Sequence, residues 1–115
     1  MQLGLVGLGR MGFNMRERIR AAGHEVVGFD RNPDVTDVGS LAEMVERLAE
    51  PRVVWGMVPA GDPTQQTVEK LAGLMDEGDM VIDGGNSRWS DDKRRAEELE
   101  PKGIHYVDVG TSGGV

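Results

Sequence analysis

The sequence predicts an α/β fold with one doubly wound parallel sheet in a single domain. Three observations carry that expectation. Short apolar runs alternate with amphipathic stretches along the whole chain, the pattern of parallel strands joined by helical crossovers. Glycine supplies 17 of the 115 residues, about twice its ~7 % average usage, with no collagen period. The length is that of one domain, enough to bury a core without disulfides or structural metal.

Each element follows from its own residues. Gln2 to Val6 reads as a buried strand, and Val26 to Phe29, Val53 to Val58, Met80 to Ile82 and Ile104 to Val109 repeat the type. Between the first two strands, Met11, Met15, Ile19 and Ala22 fall on one helical face, with Arg16, Glu17, Arg18 and Arg20 off it and Gly23 at the C′ position. Ser40-Leu41-Ala42-Glu43 is a capping box, so a second helix starts there, turns Leu41, Met44, Val45 and Leu48 inward and stops before Pro51. A third starts at Asp62 with Pro63 at the first helical position and buries Val68, Leu71, Ala72 and Met75 before Gly78. A fourth runs from Ser90 to about Glu100, and Pro101 ends it. The run Asp91-Asp92-Lys93-Arg94-Arg95 reads as its solvated first turn. The methionines at helical spacing and Trp55 read as packing, whereas Trp89 follows a glycine-rich loop and either borders a site or staples the fourth helix. Only nine residues separate Asp30 from Ser40, too few for both a strand and a crossover. The third strand of an ordinary doubly wound half is therefore expected to be missing, or cut to one or two residues near Thr36 to Val38, which shortens the second crossover.

Charge and composition remove several function classes. With 13 basic and 20 acidic side chains the net charge is −7, unsuited to a nucleic-acid partner that must be held by phosphate neutralisation. Cysteine is absent, which excludes disulfides, thiolate zinc and cysteine nucleophiles. His24 and His105 have no second histidine near them in sequence, so no metal site is expected. No run approaches the roughly 18 apolar residues of a membrane span, and the N-terminus lacks a signal-peptide pattern. A cytoplasmic location and no membrane partner are expected.

The segment Gly7-Leu8-Gly9-Arg10-Met11-Gly12 follows the first strand and opens the first helix, the context required of a dinucleotide fingerprint. Gly7 permits the tight turn, Gly9 lets a pyrophosphate approach the backbone, and Gly12 lets helix pack on strand. The helix N-terminus offers amides and partial positive charge to phosphates, so an acidic protein can hold an anionic cofactor. Asp30 stands 18 residues past Gly12 at the end of the second strand, where its carboxylate can accept ribose hydroxyl protons. A Rossmann-type half-site follows. The other strand ends, Val58-Pro59-Ala60-Gly61, Asp83-Gly84-Gly85-Asn86-Ser87 and Asp108 to Gly114, are small, polar or backbone-rich, as a ligand at that edge requires.

Through GLGRMGFNM, MVPAG, DGGNS and DVGTSGGV the chain resembles, over almost its whole length, the N-terminal part of the 6-phosphogluconate dehydrogenases within the β-hydroxyacid dehydrogenase group. That resemblance implies NAD(P)-linked oxidation and decarboxylation of 6-phosphogluconate to ribulose 5-phosphate and carbon dioxide. It assigns Gly7, Leu8, Gly9, Arg10, Met11 and Gly12 to the pyrophosphate turn and Asp30, Arg31 and Asn32 to the adenosine ribose. Val58, Pro59 and Ala60 would approach the nicotinamide. Asn86 would touch cofactor and substrate, and Ser112, Gly113 and Gly114 would begin the site for a sugar-acid phosphate. The acid/base lysine of the family and its large helical domain lie beyond the SGG motif. The 115 residues are thus expected to be the cofactor domain alone, with no catalytic residue of their own, binding dinucleotide without turnover. NAD is expected over NADP because Asp30 carries a carboxylate where NADP-preferring members carry asparagine. A homo-oligomer is expected through apolar surface near Val107 and Val109. The other reading is a non-catalytic NAD(H)-sensing module, against which the SGG motif weighs.

Overall fold

The computed structural model describes residues 2–58, 62–84 and 89–109. Strands β1 (Gln2–Val6), β2 (Glu25–Phe29), β3 (Val53–Gly56), β4 (Met80–Asp83) and β5 (His105–Asp108) form one parallel sheet in the order β2-β1-β3-β4-β5. Helices α1 (Arg10–Ala21), α2 (Leu41–Arg47), α3 (Asp62–Leu74) and α4 (Trp89–Leu99) alternate with them, and a 3-10 turn over Glu100–Lys102 carries Pro101 at the end of α4.

The strand order dictates which face each helix covers. The chain steps one way from β1 to β2, then back across β1 to β3 and onward to β5. Right-handed crossovers therefore place α1 on one face and α2, α3 and α4 on the other. The cores follow suit. Leu3, Leu5, Leu8 and Val26 pack under Met15 and Ile19 of α1, joined by Trp55 and Met57. Val6, Val54 and Val81 pack under Met44, Leu71 and Leu99 of the other three helices.

No strand forms between Asp30 and Ser40, as the short connection predicts. In its place the segment folds back on the open edge of β2. Asp37 N donates to Gly28 O at 2.9 Å, and Gly28 N donates to the Asp37 carboxylate at 2.8 Å. Thr36 Oγ1 accepts from Asp30 N at 3.0 Å. The Ser40 cap is present, its hydroxyl accepting from Glu43 N while the Glu43 carboxylate accepts from Gly39 N.

Several expectations need correction. The inward face of α1 is rotated: Met11 is 57 % exposed and Ala22 is exposed, while Arg16, placed off the core by its charge, is only 5 % exposed. The first turn of α1 overhangs the sheet edge, which frees Met11. Arg16 instead covers the flank of β2 that a third strand would occupy, donating to Val35 O and the Asp37 carboxylate with its guanidinium 4.8 Å from the Phe13 ring centre. Arg95, read as solvated, is 1 % exposed because α4 packs on β5 with that residue turned towards the Asp83 carboxylate at the end of β4. Strand β3 ends at Gly56, so Met57 and Val58 lie beyond it, although Met57 N still donates to Val6 O at 2.7 Å. Helix α4 begins at Trp89, one residue early, and β5 is His105–Asp108 rather than Ile104 to Val109.

At the opposite edge of the sheet, Asp79 is fully buried and accepts from Arg52 N at 2.6 Å, from Asp76 N at 2.8 Å and from the Arg52 guanidinium at 3.2 Å. Asp79 O accepts from His105 N, so the starts of β3, β4 and β5 meet at one residue.

Candidate functional site

Parallel strands bring their carboxyl ends to one edge, and the backbone there is stitched together. Gly7 N donates to Phe29 O and Gly84 N to Gly56 O, both at 2.9 Å. The turn from β1 into α1 is built on glycine for two separate reasons. Gly7 has φ +96°, and a Cβ on it would stand 2.7 Å from Met57 O; a Cβ on Gly12 would collide with Gly7 O. A Cβ on Gly9 would meet nothing within 4 Å, so that glycine faces open space. Gly9 is also the N-cap of α1, where it offers no side chain, and the first helical turn carries no acid. An N-terminus left uncapped and without carboxylates keeps its amides and partial positive charge for an anion.

Beside that turn lies a cleft of about 1280 Å³, larger than the roughly 300–1,000 Å³ of a drug-sized site and suited to a longer ligand. Gly7, Gly9, Met11, Asp30, Arg31 and Val58 of the predicted set line it. The Asp30 carboxylate is held there by the fold: Oδ2 accepts from Leu8 N at 2.7 Å and Oδ1 from Asn32 N at 2.8 Å. Each carboxylate oxygen has about two acceptor sites, which leaves capacity for a hydroxyl. The remaining fingerprint residues serve the fold around the cleft. Leu8 is in the α1-side core, Gly12 packs on Gly7, Arg10 is exposed at the start of α1, and Asn32 is exposed in the loop, accepting from Asp34 N. Pro59, Ala60, Asn86, Ser112, Gly113 and Gly114 lie outside the described residues.

The far wall was not anticipated. Gln66, Lys70 and Leu74 of α3, with Ser40 and Ala42 at the start of α2, complete the lining. Their signal was the i, i+4, i+8 spacing of Gln66, Lys70 and Leu74, which puts them on one helical face. Among the described residues no group of three or more histidine, cysteine, aspartate or glutamate side chains could hold a metal. No helix among them is long and apolar enough to cross a membrane.

A sequence profile described as the NAD binding domain of 6-phosphogluconate dehydrogenase matches residues 2–115. The chain belongs to that family. It is 44 % identical over 123 residues to the NAD(+)-dependent, decarboxylating 6-phosphogluconate dehydrogenase of Haloferax volcanii, covering 99 % of this chain and 40 % of that protein. It is 37 % identical over 125 residues to the Bacillus subtilis enzyme of the same description, covering 97 % of this chain and 27 % of that one. Among solved structures, 6-phosphogluconate dehydrogenase of Plasmodium falciparum shares the fold with a TM-score of 0.85 at 24 % identity, over 92 % of this chain and 26 % of that one. The chain thus spans well under half the length of these relatives. For a member of this NAD binding family, the uncapped α1 N-terminus and the Asp30 carboxylate on one cleft are the features a dinucleotide needs.

Proposed function

We propose that this chain holds NAD in the cleft between the glycine turn, Asp30 and α3, as the cofactor domain of an enzyme that oxidises and decarboxylates 6-phosphogluconate. The observation that carries the reading is the shared cleft: an uncapped helix N-terminus for the pyrophosphate and a fixed carboxylate for the ribose. The α1 amides would hold the pyrophosphate beside Gly9, and Asp30 would accept a ribose hydroxyl. A bound nicotinamide would accept the hydride from the substrate. Val58 lines the same cleft, which supports its place on the nicotinamide side together with Pro59 and Ala60. Gly84 and Val109 adjoin the segments holding Asn86 and Ser112 to Gly114; their amides bond to Gly56 O and Asp83 O at the same sheet edge, which supports a sugar-acid phosphate site there. A cytoplasmic setting belongs to this reading.

NAD is preferred to NADP, because a carboxylate accepts a charge-assisted hydrogen bond from a 2′-hydroxyl and repels a 2′-phosphate. The Haloferax volcanii and Bacillus subtilis relatives are both described as NAD(+)-dependent, which supports the preference. Calorimetric titration of the 115-residue chain with each oxidised cofactor tests it. The expected outcome is NAD tighter by about one to two orders of magnitude, using ~1.4 kcal/mol per decade. No reduced NAD is expected when 6-phosphogluconate is added, because the 115 residues tested span well under half the length of the relatives described as decarboxylating dehydrogenases. Equal affinities, or tighter NADP, overturn the preference; failure to bind either overturns the site.

A further inference from the structure

Behind the cleft runs a chain of buried polar side chains that cofactor binding does not use directly. Asp83, the last residue of β4, is 3 % exposed, and Arg95 of α4 is 1 % exposed. Arg95 Nη1 stands 3.7 Å from Asp83 Oδ2, the same oxygen that accepts from Tyr106 Oη of β5 at 3.0 Å. On its other side Arg95 Nε donates to Gln65 Oε1 of α3 at 2.9 Å. The chain therefore links β5, β4, α4 and α3 in sequence.

Both of its inner ends abut the cleft. Asp83 precedes Gly84, which lines the cleft and lies so close beneath the Trp55 indole and the Met57 sulfur that a Cβ there would clash with both. Gln65 precedes Gln66, which lines the opposite wall. Net stability does not call for an ion pair here. Desolvating two charges offsets most of their attraction, and well-packed apolar residues often do as well or better. What the cluster adds is direction, since the hydrogen bonds from Tyr106 to Asp83 and from Arg95 to Gln65 hold both charged groups in a low-dielectric interior where displacing either is costly.

We infer that Asp83 and Arg95 are positioning residues for the dinucleotide cleft, fixing the spacing between the end of β4 and helix α3 through Gln65, with Tyr106 of β5 holding the Asp83 carboxylate in place. The inference rests on the NAD reading above. Without the pair, the two walls keep their apolar packing but lose the contact that sets their separation, and a ligand spanning both binds more weakly.

The test separates affinity from stability. In the full 115-residue chain, Asp83→Asn combined with Arg95→Met removes both charges together and avoids stranding one of them. Thermal melting of this double variant is expected within a few degrees of the parent, while its NAD affinity by calorimetry falls at least tenfold. Tyr106→Phe deletes one hydroxyl, so it gives an answer even where the double variant does not fold; about a threefold loss of NAD affinity at unchanged melting temperature is expected. Parent-like affinity in either folded variant overturns the inference: with a lowered melt the cluster serves stability alone, and with a parent-like melt it serves neither. If the parent chain itself binds no NAD, the functional reading fails first, and the inference falls with it.

Discussion

The carboxylate of Asp30 accepts the Leu8 amide on one oxygen and the Asn32 amide on the other, so the residue expected to read the ribose also ties the glycine turn to the end of β2. An amide side chain has only one acceptor oxygen. Asp30→Asn therefore leaves one of those two amides facing an NH2 group, at a cost of about 1–3 kcal/mol for the lost partner. The variant is expected to shift the NAD to NADP preference towards NADP by about tenfold while binding either cofactor less tightly than the parent binds NAD. Titrating both cofactors checks this; NADP bound by the variant as tightly as NAD by the parent would show that the Leu8 contact is dispensable. The place of Asp30 on the cleft was legible in the sequence from its distance to Gly12. Its tie to the glycine turn was not, because a hydrogen bond to Leu8 spans 22 positions and depends on how β1 and β2 register.

At the scale of elements, alternation and capping were informative wherever local physics decides. The core positions of α2, the Ser40 cap and the missing third strand followed from residue order alone. Charge misled where topology decides instead: Arg16 and Arg95 are buried because each faces an acidic partner brought there by another element, Asp37 and Asp83 respectively. The edge of β2 is closed by Asp37 and Thr36, a side-chain substitute for strand pairing that no periodicity announces. Asp79 performs the comparable task at the starts of β3, β4 and β5. Burial pushes its carboxyl up, but the Asp76 and Arg52 amides and the Arg52 guanidinium outweigh that and hold it below its ordinary value of 3.8. A carboxyl held lower in the folded chain than in the unfolded one contributes stability that is complete above the unfolded value and is lost as pH falls through the folded one. Thermal melts are thus expected to be flat with respect to this group down to about pH 4 and to fall below it. Asp79→Asn, less stable at neutral pH by about 1–3 kcal/mol, should show a shallower decline. An identical acid slope in the two proteins would remove Asp79 from the account.

Over the whole molecule, the two faces of the sheet are unequally covered. Helices α2, α3 and α4 share one face, while among the described residues α1 alone covers the other. Pairing of Trp55 with Ile82 and of Ile82 with Val107 continues the α1-side face out to β5, where Val107 is 38 % exposed. Apolar surface of this kind drives association, and we propose that the chain pairs with itself through it. Sedimentation of the parent is expected to show concentration-dependent dimers that Val107→Lys abolishes. A monomer at every concentration, or dimers that survive the substitution, places the contact elsewhere.

The indole of Trp55 lies at the boundary between that open face and the cleft. It rests against Gly84 and Met57, and its Nε1 hydrogen finds no partner among the described residues. An indole so placed works as a built-in optical gauge, since its emission depends on the polarity and the quenchers within a few ångströms. Reduced NAD in the cleft would absorb at the wavelengths at which the indole emits, so energy transfer should dim Trp55 and light the dihydronicotinamide. Trp55→Phe should reduce that transfer. The same clearance that demands glycine at position 84 would then let the molecule report its own occupancy by light.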